Sequence, residues 1–321
     1  MDLECLINQI QEEPRQKGDN MARICEKWFP IGSFPYQKKP GFYMDDVLKD
    51  NIDIYIKNAP YDWDFTIIIT GGGEVRVGKS VLAMQIACYW AYQMKEVHNK
   101  EVKFDLKTNF IFEGSKLIEQ GNYLGKNYQF SPLVFDEAGA DLEGKKIMQT
   151  STQDVLDYYR ECGQYNLFNI LVIPDFFDLP AGIALTRSNL LIDVYYLVNE
   201  DDIFERGYYN VYSKPNKKDL YIDGKKYKNY KIGKIDFPGN FDNVYPLNEK
   251  EYRELKAEAL KRRGTKAKKR VEKQRNAAWY LLWDRFKMTQ EQIAKDIEEL
   301  AGVYTTKSTI EMAMRQISLE N

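Results

Sequence analysis

Phe65-Thr-Ile-Ile-Ile-Thr70 followed by Gly71-Gly72-Gly73-Glu74-Val75-Arg76-Val77-Gly78-Lys79-Ser80 decides the fold. The apolar run predicts a parallel strand buried on both faces. Gly73–Ser80 matches GxxxxGK[ST], and the apolar spacing of Ser80–Lys95 predicts a helix directly after it. Strand, loop and helix in that order are the setting a phosphate-binding Walker A loop requires. Its glycines let the backbone fold round phosphates, whose charge is held by N–H groups at the following helix N-terminus. Gly73, Gly78, Lys79, Ser80 and Val81 are therefore the expected nucleotide contacts. Lys79 should reach the β- and γ-phosphates of ATP, and the Ser80 hydroxyl should ligate Mg²⁺. Arg76 stands where such loops often hold a small residue, and could touch phosphate or point outward.

The acidic partner of such a loop should end a neighbouring buried strand, and Leu133-Val134-Phe135-Asp136-Glu137 does so. Asp136 is the expected Mg²⁺ ligand and Glu137 the expected base for the attacking water, the arrangement of hydrolysing ATPases. Further strands are predicted at Val102–Phe112, Leu167–Ile173 and Leu190–Val198, with helices over 42–58, near Gly114–Gln120 and over Gln149–Cys162. Strands alternating with helices predict an α/β, RecA-like P-loop core with a parallel central sheet. From Gly207 to Asn240 the texture changes, and Asp223-Gly224 between Leu220-Tyr221-Ile222 and Lys225-Lys226-Tyr227 predicts a hairpin in a β-rich extension.

Composition narrows the chemistry. With 44% hydrophobic and 29% charged residues the chain lies in the ordinary globular range, and its longest apolar runs are too short to span a bilayer. The lone His98, expected to be solvated, excludes a Ser-His-Asp triad and a His-rich metal site. Cys5, Cys25, Cys88 and Cys162 form no CxxC pair, and the first residues lack a secretion signal, so reduced thiols in the cytoplasm are expected.

Charge is distributed unevenly. Lys256–Arg275 holds ten Lys or Arg against Glu258 and Glu272, so +8 sits in one stretch of a chain whose net charge is −2. Such a stretch neutralises phosphates, which makes DNA the expected partner. After it, Ala278, Leu281, Leu282 and Trp283 have helical spacing; Thr289 caps a second helix with Ile293, Ala294, Ile297 and Leu300 on one face. Gly302 ends that helix, and Ser308 with Glu311 forms a capping box for a third. The three read as a helix-turn-helix-like unit offering Lys307, Arg315 and Gln316 to a duplex, or as a protein-interaction bundle. The expected divisions are an arm and linker helix (1–58), an ATPase core with β-rich extension (59–247), a basic linker helix (248–275) and the helical unit (276–321).

Taken in order, the Asp136-Glu137 pair, the helix ending Tyr159-Arg160, the strand Asn169–Ile173 and the segment Leu185–Val194 resemble the HerA/FtsK superfamily of DNA-pumping ATPases. Conjugative coupling proteins and some viral packaging motors belong to it. The resemblance covers about residues 60–200 and implies a ring of identical subunits that translocates DNA, in viral genome packaging or mobile-element transfer. It implies an arginine finger in trans, for which Arg160 is the first candidate and Arg187 the second, and a polar sensor, commonly glutamine, where Asp175 stands here. Two other readings stay open: an AAA+-like replication initiator or helicase loader, and a nucleotide-switched DNA-binding regulator.

Overall fold

Six consecutive buried residues make β1 (Phe65–Thr70) an interior strand, as its unbroken apolar sequence requires. In the computed structural model, which describes residues 42–136 and 150–320, it lies between β4 (Phe168–Val172) and β5 (Leu190–Val198), parallel to both. The side chains of 150–153, 263–270, 316 and 318–320 are outside that description, as are residues 1–41 of the expected arm and Glu137. With β2 (Phe110–Ile111), β3 (Pro132–Phe135), β6 (Phe204–Tyr212) and β7 (Phe237–Asn240), the described residues form one sheet in the order β2-β3-β4-β1-β5-β6-β7. The first five strands in that order are parallel, and β6 and β7 are antiparallel additions at one edge. Val102–Phe112 gives much less strand than its sequence suggests, because Asp105 caps a helical turn at Leu106–Asn109 and leaves two residues for β2.

Helix α1 (Asp46–Asn58) precedes the sheet, and α2 (Lys79–Glu96) follows the glycine loop. Buried residues run almost without interruption from Val81 to Ala91, the pattern of a helix covered all round. Trp90 stacks on Phe168 with centroids 4.1 Å apart, meets Phe65 edge-on, and donates to the Phe130 carbonyl at 2.7 Å. Its indole thus ties α2 to two parallel strands while its one polar group stays satisfied. The opposite face of the sheet, through Ile68, Leu133, Phe135, Leu171 and Leu191, shares a core with α3 (Gly114–Asn127) and α4 (Thr150–Glu161).

The extension contains a β-hairpin, but at β5–β6 and not at Asp223-Gly224. That stretch lies in and after a helix, α5 (Lys214–Gly224), because Pro215 suits a helix start and Lys217, Leu220, Tyr221 and Gly224 fall on one buried stripe. Gly224 packs where a side chain would strike the Phe177 ring, so the glycine serves close packing here and not a turn. Lys217 is fully buried; its ammonium donates to Ala184 O at 2.5 Å, Ser188 O at 2.9 Å and Ser188 Oγ at 2.6 Å. These acceptors lie in and just after a π-helical segment, Gly182–Arg187, where the Ser188 hydroxyl also donates to Ala184 O at 2.9 Å.

The molecule divides into two compact units, Met1–Glu254 and Leu255–Asn321. One helix, α6 (Glu249–Asp284), passes through the division, so the expected basic linker and first helix of the terminal unit are a single element. In the second unit Trp279, Ile293, Ile310, Ala313 and Met314 form the core with α7 (Gln290–Ala301) and α8 (Lys307–Glu320). Part of this face differs from the expected one: Leu281, Trp283 and Leu300 are exposed and Trp279 is buried. Thr289 caps α7 in a capping box with Gln292, and Gly302 ends it in the left-handed region as expected. Thr306, not Ser308, caps α8, accepting from Thr309 N at 3.3 Å.

Replacing Lys217 with methionine keeps the stem and removes the donor, leaving three buried acceptor contacts unmade. The expected loss is about 2–3 kcal/mol, read as a lower midpoint in chemical denaturation with an unchanged m-value.

Candidate nucleotide site

The loop between β1 and α2 folds back on itself through residues that reach left-handed backbone angles. Gly72, Gly73, Arg76 and Gly78 all have positive φ, and Gly78 (φ 105°) leaves no room for a side chain against the Phe241 ring. Gly73 N donates to Pro174 O at 2.9 Å and Glu74 N to Gly71 O at 2.7 Å, which fixes the start of the loop. Among the described residues, the N–H groups of Val75, Arg76, Val77 and Gly78 make no hydrogen bond. Successive unpaired donors ahead of a helix N-terminus form a concave, anion-seeking nest. Arg76 is exposed, while Val77 and Val81 are buried beneath the loop.

Lys79 Nζ donates to the Glu74 carbonyl across this nest at 2.5 Å. Its ammonium also lies against Gly71, where an added Cβ would be 3.0 Å from Nζ. Ser80 Oγ donates to Asp136 Oδ1 at 3.2 Å, although β1 and β3 are not neighbours in the sheet. Asp136 is 1% exposed, and its N–H donates to Ile111 O at 2.8 Å. The Tyr252 hydroxyl donates to Asp136 Oδ2. Burial and the adjacent carboxylate push the Tyr252 phenol well above its ordinary range, so it remains a donor. Ser80 and Asp136 form a small, hard oxygen set that fits Mg²⁺, whose remaining ligands phosphate and water would supply. Ser80 and Asp136 would hold it.

Behind the loop lies a second polar network. Thr70 Oγ1 donates to Pro174 O at 3.2 Å, and the Tyr230 hydroxyl donates to Asp175 Oδ1 at 2.9 Å while accepting from Phe176 N at 2.8 Å. Lys228 pairs with Asp175 at 2.8 Å. Asp175, at the expected sensor position just after β4, is thus held from a distant part of the chain. Asp193 pairs in register with Thr70 and is 8% exposed, with Oδ1 unpartnered. Burial pushes its carboxyl up to about 7, against the pull of Lys79 and with a further push from Asp175. Tyr230, Lys228 and Tyr252 belong to no linear motif, and tertiary packing brings them to the loop.

The arginines lie elsewhere. Arg187 precedes β5, pairs with Asp64 at 3.0 Å just ahead of β1, and is three-quarters buried. Arg160, at the end of α4, pairs with Asp157 at 2.6 Å and is exposed. Arg187 flanks the strand starts, one β1 length from the loop, about 20 Å for six residues at roughly 3.3 Å each. Arg160 closes a helix that leads into the start of β4. In the terminal unit Lys307 pairs with Glu291 at 2.6 Å and Arg315 with Glu311 at 2.8 Å. Such exposed pairs are weak and exchange readily. Lys266, Lys268, Lys269 and Arg270 fall on α6, but their side chains are outside those described. His98 is half-buried with Nε2 unpartnered, not solvated as expected. Cys88 and Cys162 are free and buried, and no helix among the described residues is long and apolar enough to cross a membrane.

The glycine loop after a central parallel strand, with the acidic strand one place removed across β4, decides the architecture. The fold is α/β, with a mostly parallel central sheet and a P-loop-type glycine turn between its central strand and the helix that follows. No protein-family model matches the chain, and no curated protein does. Among solved structures it is similar to the genome packaging NTPase B204 of Sulfolobus turreted icosahedral virus 2 in complex with AMPPCP, at 17% identity, covering 48% of this chain and 94% of that one with a TM-score of 0.31. The DNA-packaging ATPase B204 of Sulfolobus turreted icosahedral virus gives 17% identity, 49% and 94% coverage and a TM-score of 0.32. The N-terminal domain of zonular occludens toxin from Neisseria meningitidis gives 11% identity, 59% and 97% coverage and a TM-score of 0.35.

The raised Asp193 carboxyl gives a stability signature. Between about pH 4 and pH 7 the folded state binds the proton that the unfolded state has released, so Asp193 makes stability fall as pH rises through that window. Asp193→Asn removes the effect. Its melting temperature should exceed wild type by at least about 2 °C at pH 8, and the difference should shrink towards pH 4.

Proposed function

We propose that this protein is an Mg²⁺-dependent ATPase that translocates DNA as an oligomeric ring. The observation that carries the nucleotide part is the meeting of Ser80 and Asp136, 3.2 Å apart beneath a loop of unpaired amides. In this reading Lys79 exchanges the Glu74 carbonyl for the β- and γ-phosphates, and the Val75–Gly78 amides cradle them. Ser80 and Asp136 would hold Mg²⁺, which would supply positive charge to neutralise the phosphates. Glu137 takes the proton of the attacking water.

Charge developing at the γ-phosphate calls for another cation, and neither Arg160 nor Arg187 is placed to serve its own loop. Arg160, exposed and held only by an i,i+3 surface pair, is the one free to be offered to a neighbouring subunit. DNA is held by the +8 stretch on α6 and by the terminal unit, where Lys307 and Arg315 exchange carboxylates for phosphates. Packaging of a viral genome or transfer of a mobile element is the setting this reading favours. Displacement of a third strand from a triplex substrate by ATP-fuelled movement tests it, and ATP turnover indifferent to DNA would contradict it.

Two outcomes follow at the level of residues. Lys79→Ala should lower turnover by about 10²-fold or more, whereas Glu137→Gln should bind ATP as wild type does and fail to hydrolyse it. Nucleotide binding by calorimetry alongside phosphate release separates the two. Neutralising Lys266, Lys268, Lys269 and Arg270 together should weaken DNA binding and flatten the slope of log K against log salt by about 3–4. Fluorescence anisotropy across a salt series measures that slope.

A further inference from the structure

Asp136 has a partner on each carboxylate oxygen. Oδ1 accepts from Ser80 Oγ at 3.2 Å, on the side where the metal would be held, and Oδ2 accepts from the Tyr252 hydroxyl. Tyr252 stands 116 residues after Asp136 in the chain, on the first turns of α6. It is 4% exposed, and its ring is enclosed by Phe110, Phe112 and Tyr245 at centroid distances of 6.4, 5.9 and 5.9 Å. A phenol held by three rings has little rotational freedom, so the carboxylate it grips has little either. With Oδ2 held, Oδ1 keeps its lone pairs facing Ser80.

We infer that Tyr252 is a positioning residue for the metal site: its hydroxyl fixes the Asp136 carboxylate in the orientation that, together with Ser80, holds the Mg²⁺ of a bound nucleotide. The inference rests on the reading that Mg²⁺ and nucleotide share this site. Outer partners that orient a metal-holding group commonly set its affinity within a factor of ten to a hundred. Tyr252 also belongs to the helix that continues into the ten-cation stretch, so the carboxylate that orients the metal is gripped by the element that carries the proposed DNA contacts.

Tyr252→Phe removes the hydroxyl and keeps the ring and its packing. The full-length variant and wild type are compared by electron paramagnetic resonance of Mn²⁺ binding in the presence of ADP, and by calorimetry of ADP binding in EDTA. The expected result is a Mn²⁺ affinity about tenfold weaker in Tyr252→Phe, with ADP affinity in EDTA and the melting temperature close to wild type. An unchanged or tighter Mn²⁺ affinity overturns the inference. Equal losses of Mn²⁺ and metal-free ADP binding also overturn it, since they would mark a merely structural role. If wild type itself binds no Mn²⁺ with ADP, the nucleotide reading fails first and the inference falls with it.

Discussion

A hydroxyl on the first turn of a helix and a carboxylate at the end of a strand lie within 3.2 Å, and their strands are separated by a third. That contact constrains much of the first compact unit. β1 and β3 must be in step on either side of β4, and they start level with each other, Phe65 and Pro132 both pairing with Phe168. The sheet must be buried on both faces there, because a solvated strand end would not hold Asp136 at 1% exposure. The helix after the loop must start against the sheet, which its buried side chains from Val81 onward enforce. Displacing any of these separates Ser80 from Asp136, the pair that would hold a divalent ion.

Two lysines of the first unit direct their ammonium groups at backbone carbonyls. Lys79 rests on the carbonyl of Glu74, and Lys217 is surrounded by the carbonyls and hydroxyl at the end of the π-helical segment. A carbonyl is a weaker partner for an ammonium than a phosphate, so Lys79 is held in place without being committed. Asp193, close enough to feel Lys79 but without a partner on Oδ1, is held towards its neutral form by burial. Lys79 and the unbonded loop donors thus lie near a buried carboxyl whose charged form is disfavoured by burial.

The glycine loop, its flanking strand and helix, and the acidic strand were legible because each is local. Apolar runs, a spacing of glycines and one acidic pair suffice, and β3 and β5 fall on the residues the sequence indicates. The hairpin at Asp223-Gly224 was misread because that dipeptide also closes a helix, and the buried stripe through Lys217 is invisible to a reading that expects lysine outside. Trp279 took the core position expected of its neighbours because a helix 36 residues long fixes a phase that the terminal fragment alone does not. Tyr252 and Asp193 reach the site through sheet order and tertiary packing, which single-sequence periodicity cannot report. Glu137 is a sequence assignment, outside the described residues.

The central claim is that the loop's unpaired amides, Lys79, Ser80 and Asp136 hold one Mg²⁺-nucleotide. A crystal structure of the protein with Mg²⁺ and a non-hydrolysable ATP analogue addresses it most directly. The expected density places the β-phosphate against the N–H groups of Val75–Gly78, moves Lys79 Nζ off the Glu74 carbonyl to phosphate oxygens, and sets the metal between Ser80 Oγ and Asp136. Nucleotide bound elsewhere, or Lys79 still on Glu74 with the loop amides facing solvent, would contradict it.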